Sequence, residues 1–219
     1  LLIDSFSQQS RKKDLNDSKN SGDLSPEPPN ESTETSSKKE VDETRSRSDK
    51  TQSIDSLILA KEIELEEARK ANGHEDLSVA TALFGLAELQ LKKEDPTAAM
   101  LYARQAMKIQ KATLNLPEAC KSLTFMAEIH SRVNRLKDAL LCYSEVQRIH
   151  EALYGYFHEE IAKDLNHCGH ILARQGKFDL AMDKHKEALR ILKDCCGENV
   201  KNPLVSETLI QIGAVYYKE

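Results

Sequence analysis

The sequence predicts an all-α fold, a right-handed α-solenoid of helix–turn–helix repeats behind a disordered N-terminal tail. Apolar residues recur at the i, i+3, i+4, i+7 spacing of amphipathic helices through residues 54–219. Similar residues also return every 40 to 44 positions, which indicates tandem repeats. By contrast, residues 1–53 are almost entirely polar or charged. These observations favour a repeat domain that follows an unstructured segment.

The N-terminal segment, residues 1–53, contains a single aromatic residue, Phe6. It can bury too little apolar surface to offset the entropy cost of ordering a backbone, roughly 1–2 kcal/mol per residue. We therefore predict a disordered polar tail. A solvated linker is the simpler interpretation. A regulatory tail that is phosphorylated at Ser25, Ser46 or Ser48 is the alternative.

Residues 54–72 predict a leading helix. Their charged sequence carries apolar residues at helical spacing, and Asn72-Gly73 is typical of a helix end. A single helix of this length is marginally stable in water. We therefore expect it to pack on the next hairpin as part of an incomplete repeat or as a cap. The predicted apolar side consists of Ile54, Leu57, Leu59, Ile63, Leu65 and Ala68.

Three hairpin repeats are predicted at 75–113, 117–154 and 158–194, and the first helix of a truncated fourth repeat at 203–219. Leucine recurs at one position of each first helix, and a small residue recurs four positions later, where paired helices approach closely. Alanine recurs near the start of each second helix. The columns are Leu83, Leu123, Leu165 and Leu209; Ala87, Ala127, Gly169 and Gly213; and Ala99, Ala139 and Ala181.

The turn residues agree with this division. Asp95-Pro96 combines an N-cap residue with a proline at the first helical position. Asn134 and Gly176 are residue types that tolerate the left-handed conformation at helix C-termini. We therefore expect tight turns at these positions within the repeats.

Composition excludes several classes of function. The formal net charge of -5 disfavours binding to bulk nucleic acid. The chain also has no apolar run near the ~20 residues of a membrane span. Five cysteines without framework spacing favour a reducing compartment, so we predict a cytoplasmic protein. Because the sequence begins with Leu1 and ends inside a predicted first helix, we expect the natural protein to be longer.

No motif in the sequence predicts catalysis. It contains no glycine-rich phosphate loop, G-x-S-x-G or H-E-x-x-H pattern. Residues 167–170 (HCGH) place two histidines three positions apart, but no second ligand pair has matching spacing. Cys195-Cys196 is interpreted as a pair of loop thiols, with redox sensing as the alternative, and His185 as a structural residue. We therefore predict a protein without enzymatic activity, metal or cofactor.

The third repeat resembles tetratricopeptide repeats. Leu165, Cys168-Gly169, Leu172, Ala181 and Ala188 stand where that family places its leucine, small, tyrosine-type and alanine positions. The long spacing, together with GHEDLSVATAL and QGKFDLAMDKHKEALRIL, is similar to the kinesin-light-chain-like variety of the repeat. The resemblance extends from Leu59 to Glu219 and implies a protein-binding scaffold.

In that family the first helices line a concave surface that binds extended peptides or partner domains. The resemblance implies a partner-binding surface here, in which Asn166 matches an asparagine that light chains use to hold a peptide backbone. One column is basic in every repeat, which favours an acidic partner segment. The candidate partner-binding residues are Lys92, Lys121, Arg132, Lys163, Asn166, His170, Arg174 and Lys218, and Thr81, Phe84, Glu88, Thr124, Glu128, Glu207 and Ile210 line the same surface.

Two other functions stay open at this point. The chain fits a structural segment of a larger or self-associating array, because the apolar side of the last helix, at Ile212 and Tyr216, has no second helix to cover it. It also fits the interaction domain of a longer enzyme. The basic column itself has a simpler interpretation, since Lys and Arg next to a packed stripe often serve solubility alone.

Overall fold

The computed structural model describes residues 34–196 and 202–218, and the side chains of residues 52–195 and 202–217. These residues form eight α-helices and no β-strand. The helices are α1 (Glu34–Asn72), α2 (Leu77–Lys92), α3 (Pro96–Ala112), α4 (Leu116–Arg132), α5 (Leu136–Tyr154), α6 (Glu159–Arg174), α7 (Phe178–Cys196) and α8 (Pro203–Lys218).

The predicted all-α repeat fold is confirmed. Helices pack in consecutive pairs, α2 with α3, α4 with α5 and α6 with α7, and each pair also packs on the helix that follows it. Amphipathic helices of this kind are stabilised mainly by burial of one apolar side against their neighbours. The described residues from Arg45 onward form one compact unit.

The first helix begins earlier than the sequence predicts. Residues 1–33 of the predicted disordered tail lie outside the described residues, whereas residues 34–53 belong to α1. Glu, Lys and Arg, which are frequent in this segment, have good helix propensities. Their presence allows the helix predicted for 54–72 to continue in the N-terminal direction without an apolar side.

Only part of the predicted apolar side of α1 is buried. Ile58 and Leu65 contribute to a core cluster with α2 and α3, and Ile54 and Ala68 pack against that cluster. The predicted burial of Leu57, Leu59 and Ile63 is wrong, since these residues are 51%, 59% and 53% exposed. Successive helical residues point about 100° apart, so Leu57 and Leu59 point away from the neighbour that buries Ile58.

A common turn closes four of the helices. Asn134 and Gly176 have φ of 60° and 76°, as predicted, and Glu94 and Leu114 adopt the same conformation at 67° and 57°. In each turn the following backbone N–H donates to a carbonyl five residues earlier; for Asp95 N to Gln90 O the distance is 2.9 Å. This bonding satisfies carbonyls at the helix end. The four turns therefore share one geometry despite four different residue types.

The last helix is rotated by one residue relative to the predicted columns. Leu209 is 49% exposed and Gly213 is exposed, whereas Thr208 is fully buried. The placement of Leu209 in the packed leucine column is therefore wrong. Thr208 takes that place because its hydroxyl is hydrogen-bonded within the core and apolar neighbours flank it on the same side. The buried residues of α8 are Leu204, Val205, Thr208 and Val215.

Candidate functional site

The first helices α2, α4 and α6 form one side of a cleft of about 540 Å³, here called the α4 cleft. This volume lies within the usual range for ligand-binding pockets. Phe84 reaches it from α2 and Glu160 from α6, so three repeats contribute to it. Its lining consists of Phe84, Pro117, Cys120, Lys121, Thr124, Phe125, Glu128, His150, Tyr154, His158 and Glu160.

Aromatic rings form two walls of the α4 cleft. Phe84 and Phe125 meet edge to face, with ring centroids 5.4 Å apart. On the other side Tyr154 stacks on His158 at 4.6 Å and lies 5.7 Å from His150. Aromatic surfaces of this kind bind apolar and peptide groups at low entropy cost, since few torsions must be fixed.

A buried ion pair lies under the cleft. His150 Nδ1 donates to Asp164 Oδ2 at 2.8 Å, and the two side chains are 12% and 5% exposed. The hydrogen bond to Asp164, followed by one to Cys120, raises the pKa of His150 to about 10. Burial raises the pKa of Asp164, and the hydrogen bond from His150 opposes that rise. His150 is therefore an imidazolium at neutral pH, and the Asp164 carboxylate beside it balances its charge.

Lys121 is the predicted partner-binding residue that lines the cleft, and the predicted neighbours Phe84, Thr124 and Glu128 line it as well. The Lys121 ammonium is exposed and pairs with Glu118 at 2.6 Å. An exposed pair of this kind is worth little, so it leaves the ammonium able to exchange partners. The cleft thus combines cations with aromatic walls.

The basic column has a second physical explanation. Lys92, Arg132, Arg174 and Lys218 are the last residues of α2, α4, α6 and α8. Cations at this position interact favourably with the negative end of the helix dipole. Lys92 and Arg132 are exposed, whereas Arg174 Nη1 donates to Ser131 Oγ on α4. The side chain of Lys218 lies outside the described residues.

The remaining candidate residues differ in accessibility. Lys163 is half-buried and pairs with Glu160 at 2.8 Å and Glu159 at 3.3 Å, and His170 is exposed. Asn166 is only 7% exposed. It is held between α6, α7 and α8, because its amide bonds to side chains of both neighbouring helices. In this structure Asn166 is thus a packing residue and offers no exposed amide to a peptide.

The cleft also contains His150, Tyr154 and His158, which the sequence did not predict as site residues. Their spacing of four residues was a usable signal, since it places His150 and Tyr154 on the same side of α5. Their position in the α4 cleft depends on how α5 packs against α4 and α6. That packing has no signature in the local sequence.

The other reactive residues noted in the sequence have structural surroundings. His167 stacks on Tyr143 with ring centroids 4.8 Å apart. Burial raises the pKa of the Cys168 thiol to about 11. Within the part of the chain that the structure describes, no group of three or more His, Cys, Asp or Glu side chains is placed to hold a metal ion. Nor does any helix there have the length and apolar character of a membrane span.

Comparison with known proteins agrees with this architecture. Residues 118–194 match the family model for the tetratricopeptide repeat. No curated protein sequence matches the chain. The resemblance to kinesin-light-chain-like repeats is confirmed at the level of the fold by similar solved structures.

Two of these structures illustrate the likeness. BtubC (BKLC) from P. vanneervenii has a TM-score of 0.62 at 20% identity, over 75% of this chain and 66% of that protein. A kinesin light chain-like protein of Podosopora anserina with nearly identical TPR-like repeats has a TM-score of 0.64 at 15% identity, over 80% of this chain and 83% of that one. The aligned part thus spans slightly less than two thirds of the first of these proteins.

Proposed function

We propose that this chain is a non-catalytic protein–protein interaction scaffold whose α4 cleft binds an extended peptide segment with a carboxylate beside an aromatic or apolar residue. The observation that carries this proposal is the cleft itself, which joins three repeats and is lined by aromatic rings and cations. Repeat folds of this type present such elongated surfaces to partner chains.

The charges around the cleft support an acidic segment. The ammonium of Lys121 lies on the α4 cleft, together with the imidazolium of His150 that is paired with Asp164. Arg132 is exposed at the end of α4 and forms no ion pair with any described residue. Glu128 and Glu160 also line the cleft, so a fully acidic peptide is disfavoured there. A single carboxylate next to apolar residues fits this arrangement better.

The test is selection from a random twelve-residue peptide library displayed on phage. We expect selected peptides to share a carboxylate and an aromatic or large apolar residue. Anisotropy measurements on a labelled selected peptide should show about tenfold weaker binding for Lys121→Glu, a factor that corresponds to roughly 1.4 kcal/mol. Thr124→Trp should weaken binding as well, because the indole ring would occupy part of the cleft.

Two controls sharpen the measurement. Lys186→Glu changes an exposed lysine on α7, away from the cleft, and should leave binding unchanged. The peptide affinity of the double variant Arg132→Glu, Arg174→Glu measures whether the cations at the ends of α4 and α6 contribute to binding. If the selected peptides share no carboxylate, or if they bind the parent, Lys121→Glu and Thr124→Trp equally, the proposal is wrong.

A second candidate function is self-association through the outer side of α8. Four large apolar residues there are exposed, Leu209 at 49%, Ile210 at 69%, Tyr216 at 60% and Tyr217 at 93%. A second copy of α8 is the proposed occupant. Sedimentation velocity should then show a concentration-dependent dimer that is lost in Ile210→Lys, and a monomer at all concentrations would exclude it.

A further inference from the structure

We propose that a second cleft, between α3 and the turn from α4 to α5, binds a partner segment in which an acidic residue adjoins an apolar one. This α3 cleft has a volume of about 540 Å³ and shares no lining residue with the α4 cleft. The inference is therefore independent of the function proposed above. Its lining consists of Pro96, Thr97, Met100, Leu101, Arg104, Gln105, Ile129, His130, Val133 and Arg135.

One half of the α3 cleft is cationic. Arg104 and Arg135 are exposed, and neither forms an ion pair with a described residue. His130 lines the same cleft, and its Nδ1 atom is buried without a hydrogen-bond partner among the described residues. Burial lowers the pKa of His130, Asp138 opposes this effect, and the charges of Arg135 and Arg104 add to it. The two guanidinium groups therefore act on the same point of the cleft.

The other half of the α3 cleft is apolar. Leu101 is 56% exposed and Val133 is 44% exposed, whereas Met100 is half-buried and Ile129 belongs to the core. The aliphatic side chains therefore remain in contact with water, and the neighbouring arginines lack an ion-pair partner among the described residues. A ligand with an apolar part and an anionic part would cover them together.

The chemistry of the cationic half selects a carboxylate. Arginine donates two parallel hydrogen bonds to a planar carboxylate. The adjoining aliphatic residues favour a leucine-like or similar group on the same ligand. Asp138 on α5 is a nearby negative charge, so a second carboxylate on the ligand is disfavoured.

The test uses two small probes that differ only in charge. Hexanoate and hexanamide are titrated into the full isotope-labelled chain while backbone amide shifts are followed by NMR. Shift changes should cluster in the first half of α3 and in the α4–α5 turn. Hexanoate should bind about tenfold more tightly than hexanamide, the factor that roughly 1.4 kcal/mol supplies. The preference should decrease with salt, because the arginines are exposed.

Variants separate the cleft from the rest of the surface. Arg104→Gln combined with Arg135→Gln should abolish the preference for hexanoate, and because both side chains are exposed the fold should persist. Lys108→Gln removes an exposed cation from the same helix, outside the cleft, and should preserve it. Equal binding of the two probes, shifts elsewhere, tighter binding of inorganic phosphate than of hexanoate, or retention of the preference in the double variant would each overturn the proposal.

Discussion

His185 Nδ1 and Asn166 Oδ1 are joined by a hydrogen bond of 3.0 Å inside the core. Asn166 Nδ2 donates onward to Thr208 Oγ1 at 2.7 Å, and the Thr208 hydroxyl donates to the Leu204 carbonyl at 2.7 Å. Because the amide nitrogen serves Thr208, the amide oxygen faces His185 and requires the imidazole proton on Nδ1. One polar chain thus links α7, α6 and α8 through a neutral histidine.

The first prediction concerns acid stability. Burial lowers the pKa of His185 from 6.5 to about 4, so the folded state takes up a proton less readily than the unfolded state. Its contribution to stability is complete above pH 6.5 and is lost as the pH falls towards 4. Between pH 7 and pH 5 the loss amounts to about 2 kcal/mol.

Urea denaturation at fixed pH measures this effect as the difference in unfolding free energy between the parent and His185→Gln. As the pH falls from 7 to 5, the parent should lose stability relative to the variant. His74→Gln, which changes an exposed histidine, should follow the parent. If the unfolding free energies of the parent and of His185→Gln changed in parallel with pH, His185 would not be the source of the acid dependence.

The second prediction has the opposite sign. The hydrogen bond to Asp164 raises the pKa of His150 from 6.5 to about 10. Its contribution is complete below pH 6.5 and is lost as the pH rises towards 10, on the order of 2 kcal/mol between pH 7 and pH 9. Urea denaturation of His150→Gln and Asp164→Asn should show that each variant loses this alkaline dependence. An unchanged dependence in both variants would exclude the ion pair as its source.

The third prediction compares two helical glycines of one sequence column. A Cβ on Gly169 would lie 2.7 Å from the His185 ring, whereas a Cβ on Gly213 would meet no atom within 4 Å. Gly169→Ala should therefore destabilise the fold by about 1–3 kcal/mol through overpacking. Gly213→Ala should stabilise α8 by up to about 1 kcal/mol. Thermal melts of both variants check the pair, and equal shifts would refute the close approach.

The fourth prediction concerns the shared turn. Leu114 has φ of 57° and its side chain is 79% exposed, so its replacement removes backbone strain and little packing. Leu114→Gly should stabilise the protein by about 1 kcal/mol, since a non-glycine residue in this conformation costs roughly 1–2 kcal/mol. Gly176→Ala places a Cβ at φ of 76° and should lose a similar amount. Urea midpoints that move in the same direction for both variants would contradict this interpretation.

The helices and their pairing were predictable because burial in each helix follows the spacing of apolar residues. The Asp95 cap was predictable too, and its carboxylate accepts from Thr97 N and Ala98 N at 3.0 and 2.9 Å. The left-handed turns at Glu94 and Leu114 were not, because those residue types carry no preference for the conformation. The hydrogen bond across the turn imposes it instead.

The candidate site was less predictable than the fold. Exposure of Lys121 and Arg132 follows from their place on amphipathic helices. The burial of Asn166, by contrast, depends on a one-residue rotation of α8 that lets Thr208 meet it. The pairing of His150 with Asp164 depends on how two neighbouring repeats pack. Such features arise from three-helix packing, which a pattern within one helix does not encode.

The nearest-neighbour packing of the helices from α2 to α8 has a kinetic consequence. Their main contacts join segments that are close along the chain, so little loop-closure entropy is lost before each contact forms. Low contact order of this kind is associated with folding within microseconds to milliseconds. Folding can start in one hairpin and spread to the next, and unfolding can stop at any of the shared turns. Amide hydrogen exchange should therefore reveal a graded series of protected blocks, each the size of a single repeat.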